Sequence, residues 1–262
     1  MTIAGPRRAF LAASMAIAAC SNRIARGQEV TMAPITQNPS PTEKMQRVLK
    51  AWELAAELNY DYPVPAASPE MLAEAEQALG YRLPESTRVL YSVHDGGWYL
   101  GGNIVIERLF PDRENSIGLT AGSEQLREWG WTLPSELLVF GGDGSDGTYG
   151  LWIETTADRE SIVVETIDVG DSFSVVGDDL ASFLTGRSTF YLLMYTSDGF
   201  ELAPALDVLD VPFELRDMDL GDEQYNAVAR WANPHLPDAD PNSYDRWWTP
   251  AQIREFVATR EG

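Results

Sequence analysis

The 262-residue sequence is short of the residues on which most active-site chemistry is built. It has one cysteine, Cys20, so it forms no internal disulfide and no cysteine-based zinc site. Its two histidines, His94 and His235, stand in no His-Glu-x-x-His arrangement, so a catalytic metal centre would depend almost wholly on carboxylates. No Gly-x-Ser-x-Gly elbow is present to seat a nucleophile. Positive charge is scarce too: 19 lysines and arginines face 40 aspartates and glutamates, for a formal charge of −21. That balance argues against a nucleic-acid surface, which needs a basic footprint to displace counterions, and against adsorption to anionic lipid. It suits a basic protein partner, because opposite fields speed encounter, although solubility alone also accounts for it.

What is present is core material and one apparent address. Hydrophobic residues make up 44% of the chain, with eight Trp, ten Tyr and nine Phe, which is enough to build a substantial core. The first 19 residues read as an export signal. Arg7-Arg8, one spacer and Phe10-Leu11 precede an apolar run from Ala12 to Ala19 that is too short to span a bilayer. The pattern resembles a twin-arginine signal, departing from it at Pro6 and Ala12. It ends in Ile17-Ala18-Ala19-Cys20, similar to a bacterial lipoprotein box in which the cysteine is acylated. Removing Arg7 and Arg8 with such a signal leaves 17 basic against 40 acidic residues, or −23. The alternative is a cytoplasmic protein starting at Met32 or Met45. Residues 20–44 are polar and aperiodic and read as a flexible tether.

Folded structure is expected from Met45. Val48, Leu49, Trp52 and Ala56 form one apolar stripe and predict a helix reaching about Leu58. Ser68-Pro69 caps a second helix with Leu72, Ala75 and Leu79 at helical spacing, and Gly80 stands where a left-handed stop is wanted. Pro84 opens a third, ended by Asp95-Gly96-Gly97. Short β-branched runs at Asn103–Glu107 and Leu109-Phe110 predict strands, and one or two helical turns follow at Ser123–Trp129. Leu137–Gly141, Tyr149–Glu154, Ser161–Ile167 and Phe173–Val176 read as an antiparallel meander. Helices are expected over Asp179–Leu184 and Phe190–Tyr195. Beyond Ser197 a C-terminal extension, residues 198–262, is expected to be mainly helical. It opens with an acidic irregular strand over Ala203–Glu223, continues with a helix at Gln224–Trp231, and ends in a Thr249-Pro250-Ala251-Gln252 capping box with Ile253, Phe256 and Val257 buried behind it.

Three features are candidates for function. Gly141-Gly142-Asp143-Gly144-Ser145-Asp146-Gly147 matches one copy of a calcium-binding nonapeptide, but such sites need stacked copies, so a tight turn with Asx side chains is the simpler reading. His94 titrates near neutrality and adjoins Asp95, yet adjacent residues at a helix end diverge, and a C-terminal cap explains it as well. Trp98 and Tyr99 follow a glycine turn and are expected to form an exposed rim. No metal, cofactor or catalytic constellation is expected.

The order of these pieces resembles the SUKH superfamily, over roughly Trp52 to Tyr195. The carrying residues are the acidic helix, Leu79-Gly80, Leu83-Pro84, Arg88, Tyr91 and His94-Asp95-Gly96-Gly97. Leu137–Phe140 with the Gly/Asp turn, and Asp178-Asp179-Leu180-Ala181-Ser182-Phe183-Leu184, add to them. The superfamily includes the fungal Smi/Knr cell-wall assembly regulators and bacterial proteins that neutralise polymorphic toxins. The resemblance implies an α+β domain over residues 45–197, with helices packed on an antiparallel sheet, and a protein-binding, toxin-neutralising function. The expected partner is a basic toxin domain, with His94, Asp95, Gly96, Gly97, Trp98, Tyr99, Asp143 and Asp146 as the binding residues. A cell-wall or envelope lipoprotein anchored through Cys20 is the second expectation, and a carboxylate-based hydrolase the third.

Overall fold

In the computed structural model, the residues described are 39–58, 64–111, 117–145, 147–153, 160–166, 170, 172–236 and 247–260. The signal, Cys20 and Asp146 lie outside them. Helix α1 (Pro41–Leu54) starts ahead of the expected Met45 because Ser40 and Glu43 form a capping box. The Ser40 amide donates to the Glu43 carboxylate at 2.8 Å, and the Glu43 amide donates to Ser40 Oγ at 3.3 Å. Its apolar stripe ends in a short 3₁₀ turn, Ala56–Leu58. Helices α2 (Pro69–Leu79) and α3 (Glu85–Val93) follow, with Gly80 left-handed at φ 78° as its position predicts. The turn between them is held by Glu76, whose carboxylate accepts from the Leu83 amide at 3.0 Å and from the Arg88 guanidinium. No side chain at its own N-terminus caps α3. Glu160, distant in sequence, accepts from the Ser86 amide and hydroxyl instead.

Six strands form one antiparallel meander in sequence order: β1 (Gly97–Tyr99), β2 (Ile104–Ile106), β3 (Leu137–Gly142), β4 (Thr148–Trp152), β5 (Val163–Thr166) and β6 (Phe173–Gly177). Strand alternation splits the core in two. Leu138, Phe140, Tyr149, Leu151 and Val163 join the cluster under α1, α3 and the long helix α5 (Leu180–Ser197). Leu137, Val139, Trp152, Val164 and Phe173 face the other way, toward Leu126 of α4 (Leu119–Glu128) and the last helix. Where β2 meets β3, a Cβ on Gly141 would lie 1.9 Å from the Val105 carbonyl oxygen, so only glycine permits the pairing. Gly141→Ala should therefore cost about 3 kcal/mol by forced separation of the strands, measured as a lowered urea midpoint.

Several boundaries differ from expectation for identifiable reasons. Leu109-Phe110 is no strand, because the Leu109 amide is taken by a side chain described below. α5 is one 18-residue helix, not two. Gly186 belongs inside it because Ala232 Cβ would sit 3.2 Å from a Cβ at that point. The acidic stretch expected as an irregular strand folds as α6 (Ala203–Val208) and α7 (Phe213–Arg216). Leu202, Ala205, Leu206 and Leu209 recur at helical spacing and bury against the main core.

Helix α8 (Asp222–Ala232) packs on α5, and α9 (Pro250–Thr259) closes the second sheet face with Ile253 and Val257. Trp248 bridges to Phe173 beside β6, its amide donating at 2.6 Å and its carbonyl accepting at 2.9 Å. The C-terminal region therefore belongs to the same unit as the sheet.

Arg254 of α9 grips Glu136 with Nε and Nη2 at 2.6 and 3.1 Å, and this contact holds the Glu136 carboxyl down at about 2. A carboxyl depressed by folding contributes stability above its unfolded value, and that contribution disappears as pH falls from about 4.5 through about 2. Arg254 is half-exposed, so screening limits the contribution to about 1 kcal/mol or less. Arg254→Met should flatten that part of the acid limb of a stability–pH curve.

Candidate functional site

The turn after α3 is anchored from within. Asp95 is 2% exposed, and its carboxylate accepts from the Leu109 amide at 2.9 Å and Arg108 Nε at 3.3 Å. The Tyr91 hydroxyl donates to the Glu107 carbonyl at 2.7 Å. Gly96, at φ 81°, lies so close to β2 that a Cβ would meet the Ile106 oxygen and the Arg108 amide nitrogen at 2.8 Å. These residues bolt the end of α3 to the segment after β2. The expectation of an exposed surface at Asp95, Gly96 and Tyr99 is corrected here: all three are buried, Asp95 and Gly96 within the turn and Tyr99 at the bottom of a concavity.

Tyr99 instead forms the floor of a groove. Its ring stacks on Trp52 of α1 with centroids 4.0 Å apart, and its hydroxyl donates to the Gly96 carbonyl at 2.9 Å. His94 approaches the same ring edge-on at 5.7 Å. α1 supplies one wall, through Leu49, Lys50 and Glu53, continued by Ala56 of the 3₁₀ turn, and Val93 with His94 supplies the other, around a volume of about 520 Å³. That size falls in the range of sites that take an inserted side chain or small ligand. Lys50 pairs with Glu53 at 2.8 Å, leaving the rim nearly neutral. Trp98, next to the floor residue Tyr99 on β1, is 54% exposed, and its ring lies on Gly102, where a Cβ would be 3.3 Å away.

Burial pushes the His94 imidazole below its ordinary value, favouring the neutral form. Its neighbour Asp95 is engaged with Leu109 and Arg108, and among the described residues no serine, threonine or cysteine lines the groove. The geometry supports apolar contact and one imidazole hydrogen bond. An NMR titration of His94 should give a midpoint below 6.5.

Asp143 is committed to its own turn, where Oδ1 accepts from the Ser145 amide and hydroxyl at 2.8 Å each and from the Gly147 amide at 3.1 Å. This is the Asx turn foreseen as the simpler reading. The turn also abuts the β1–β2 tip, since a Cβ on Gly144 would meet the Gly102 carbonyl oxygen at 2.3 Å. The structure thus brings the Asp143 turn beside Gly102, which Trp98 covers.

Sequence reasoning missed the α1 wall, because Trp52 and Leu49 read only as core. It also missed a buried cluster between the sheet and α5, where Arg187 pairs with Glu165 at 3.2 Å. The guanidinium lies 5.2–5.8 Å from the ring centroids of Tyr149, Phe183 and Tyr225. Burial raises the Glu165 carboxyl although Arg187 opposes it. Among the described residues, no group of three His, Cys, Asp or Glu side chains is placed to hold a metal.

Residues 66–186 match the model of the SMI1 / KNR4 family (SUKH-1). That stretch runs from just before α2 through the sheet into α5, and leaves α1 and α6–α9 outside. A search of curated proteins found no match. An α2–α3 pair bolted to an antiparallel meander that leads into α5, together with the family match across those elements, identifies the chain as carrying a domain of the SUKH superfamily, of the SMI1/KNR4 (SUKH-1) type.

Proposed function

We propose that the protein is a non-enzymatic binding module of immunity type, which inserts Trp98 and the Trp52–Tyr99 groove against a basic partner protein such as a toxin domain. The carrying observation is the groove itself: an apolar concavity floored by Trp52 and Tyr99, on a chain of charge −21, with the exposed Trp98 preceding Tyr99 on β1. Aromatic anchors beside desolvated pockets dominate protein–protein affinity, and opposite net charge speeds encounter. Family membership agrees with this reading without naming a partner.

A photo-crosslinking residue at Val93, on the groove wall, tests the proposal in the native cell. An adduct with a basic protein, above all the product of an adjacent gene, supports immunity. No adduct from Val93, with adducts from a control position such as Glu255, overturns the groove as the interface. Trp98→Ser should weaken partner binding on the order of tenfold or more while changing stability by less than about 0.5 kcal/mol, since the ring is mostly solvated.

The second reading, an exported lipoprotein with an envelope role, is favoured by Arg7-Arg8, the short apolar run and the single cysteine at Cys20. Mass analysis of the mature N-terminus separates the addresses. Acylated Cys20 in the membrane fraction supports export, and immunity then requires a toxin met at the envelope. A soluble protein beginning at Met32 or Met45 removes the envelope reading.

A further inference from the structure

The region outside the family match carries a second surface of different character. From Asp207 to Glu223 there are seven acidic residues and one base, Arg216, and every one of those acids is exposed. Among the described residues only two of the seven are ion-paired, Asp207 with Arg216 and Asp210 with Arg47. Within this field stand Phe213, 73% exposed, and Leu220, 44% exposed, while the neighbouring Val211 and Leu215 are buried. The segment is fixed from beneath. Gln224 Nε2 donates to the Leu215 and Met218 carbonyls at 2.9 and 3.3 Å, and Leu206, Leu209 and Leu215 belong to the main core. The two apolar side chains are therefore displayed on an ordered backbone, which lowers the entropy lost on binding.

We propose that Phe213 and Leu220 are the apolar contacts of a docking surface for a basic amphipathic segment of another protein. Charge complementarity names the occupant. An acidic or neutral apolar segment would place its own groups among uncompensated carboxylates, whereas lysines and arginines flanking an apolar residue meet acids on both sides of Phe213. The surface stands apart from the groove: none of its residues lines that cavity. It can therefore serve whichever reading of the groove holds.

The test uses the full chain and a synthetic helical peptide of lysine and leucine, titrated by calorimetry and followed by amide chemical shifts. The expected result is saturable binding, shifts confined to residues 207–223, and affinity that falls as salt is raised. Phe213→Ser should weaken binding on the order of tenfold, Leu220→Ser by less, and Trp98→Ser not at all. A glutamate–leucine peptide should not bind. Three outcomes would overturn the proposal: no saturable binding, retention of affinity in Phe213→Ser to within about twofold, which would make the interaction charge alone, or loss of affinity in Trp98→Ser instead. Because Phe213 is largely solvated, the variant is expected to keep the parent's melting temperature, which separates lost docking from lost fold.

Discussion

Trp52→Ala is expected to remove about 4 kcal/mol of stability, the largest loss of any single truncation considered. The side chain is 1% exposed and stacks on Tyr99 at 4.0 Å, and its Nε1 donates to Ser188 Oγ at 2.8 Å. One residue thus ties α1 to β1 through a ring and to α5 through a hydrogen bond. Truncation leaves a cavity bounded by two helices and a strand that are fixed elsewhere, so collapse into it is limited. For a domain of this size the expected fall in melting temperature is roughly 10 °C. Trp52→Phe isolates the components: it keeps most of the ring contact but orphans Ser188 in the interior, at about 1–2 kcal/mol. A loss in Trp52→Ala no greater than in Trp52→Phe would show that the ring contributes little. The same truncation removes the groove floor. Partner affinity should then fall even at temperatures where the variant is fully folded, as a calorimetric titration against the captured partner would show.

Asp95→Ala is expected to cost about 3 kcal/mol in urea unfolding and to leave partner affinity unchanged in the folded fraction. The buried Leu109 amide would lose its acceptor. Arg108 would lose an ion pair too, but it is partly exposed, so that share is small. Asp95→Asn retains one carbonyl oxygen for the Leu109 amide and should recover about half of the loss. This is the converse of the Trp98→Ser result, in which affinity falls and stability does not. If Asp95→Ala instead abolished binding with the urea midpoint intact, Asp95 would be a contact residue and the account of the turn would be wrong.

The internal supports of α2 and α3 lie within the stretch that matches the family model. Arg88 and Glu76 close the α2–α3 turn, while Tyr91, Asp95 and Gly96 fasten α3 to the sheet. Each supports the fold from inside. The family match over residues 66–186 spans these supports and identifies the domain while leaving its partner open. Val93, Trp98 and Phe213 face solvent around it, and the surfaces proposed above place the partner contacts there.

Local signals in the sequence determined much of the secondary structure. Ser68-Pro69 and Gly80 bounded α2, Thr249 and Gln252 opened α9, and the meander from Leu137 to Gly177 followed from β-branched runs between polar turns. Each of these depends on residues within one turn or one strand of each other. Tertiary structure alone decided the rest. The three-residue strand β1 exists because Gly97–Tyr99 finds Ile104–Ile106 as a partner. α5 runs unbroken through Gly186 because another helix packs there. Asp95, adjacent to a histidine and polar by composition, is buried because the Leu109 amide and Arg108 come to meet it from more than ten residues away. The groove has one wall from α1 and one from the end of α3, and neither stretch shows that it faces a cavity. Spacing along the chain reports which face of an element is apolar, and only packing determines what that face is set against.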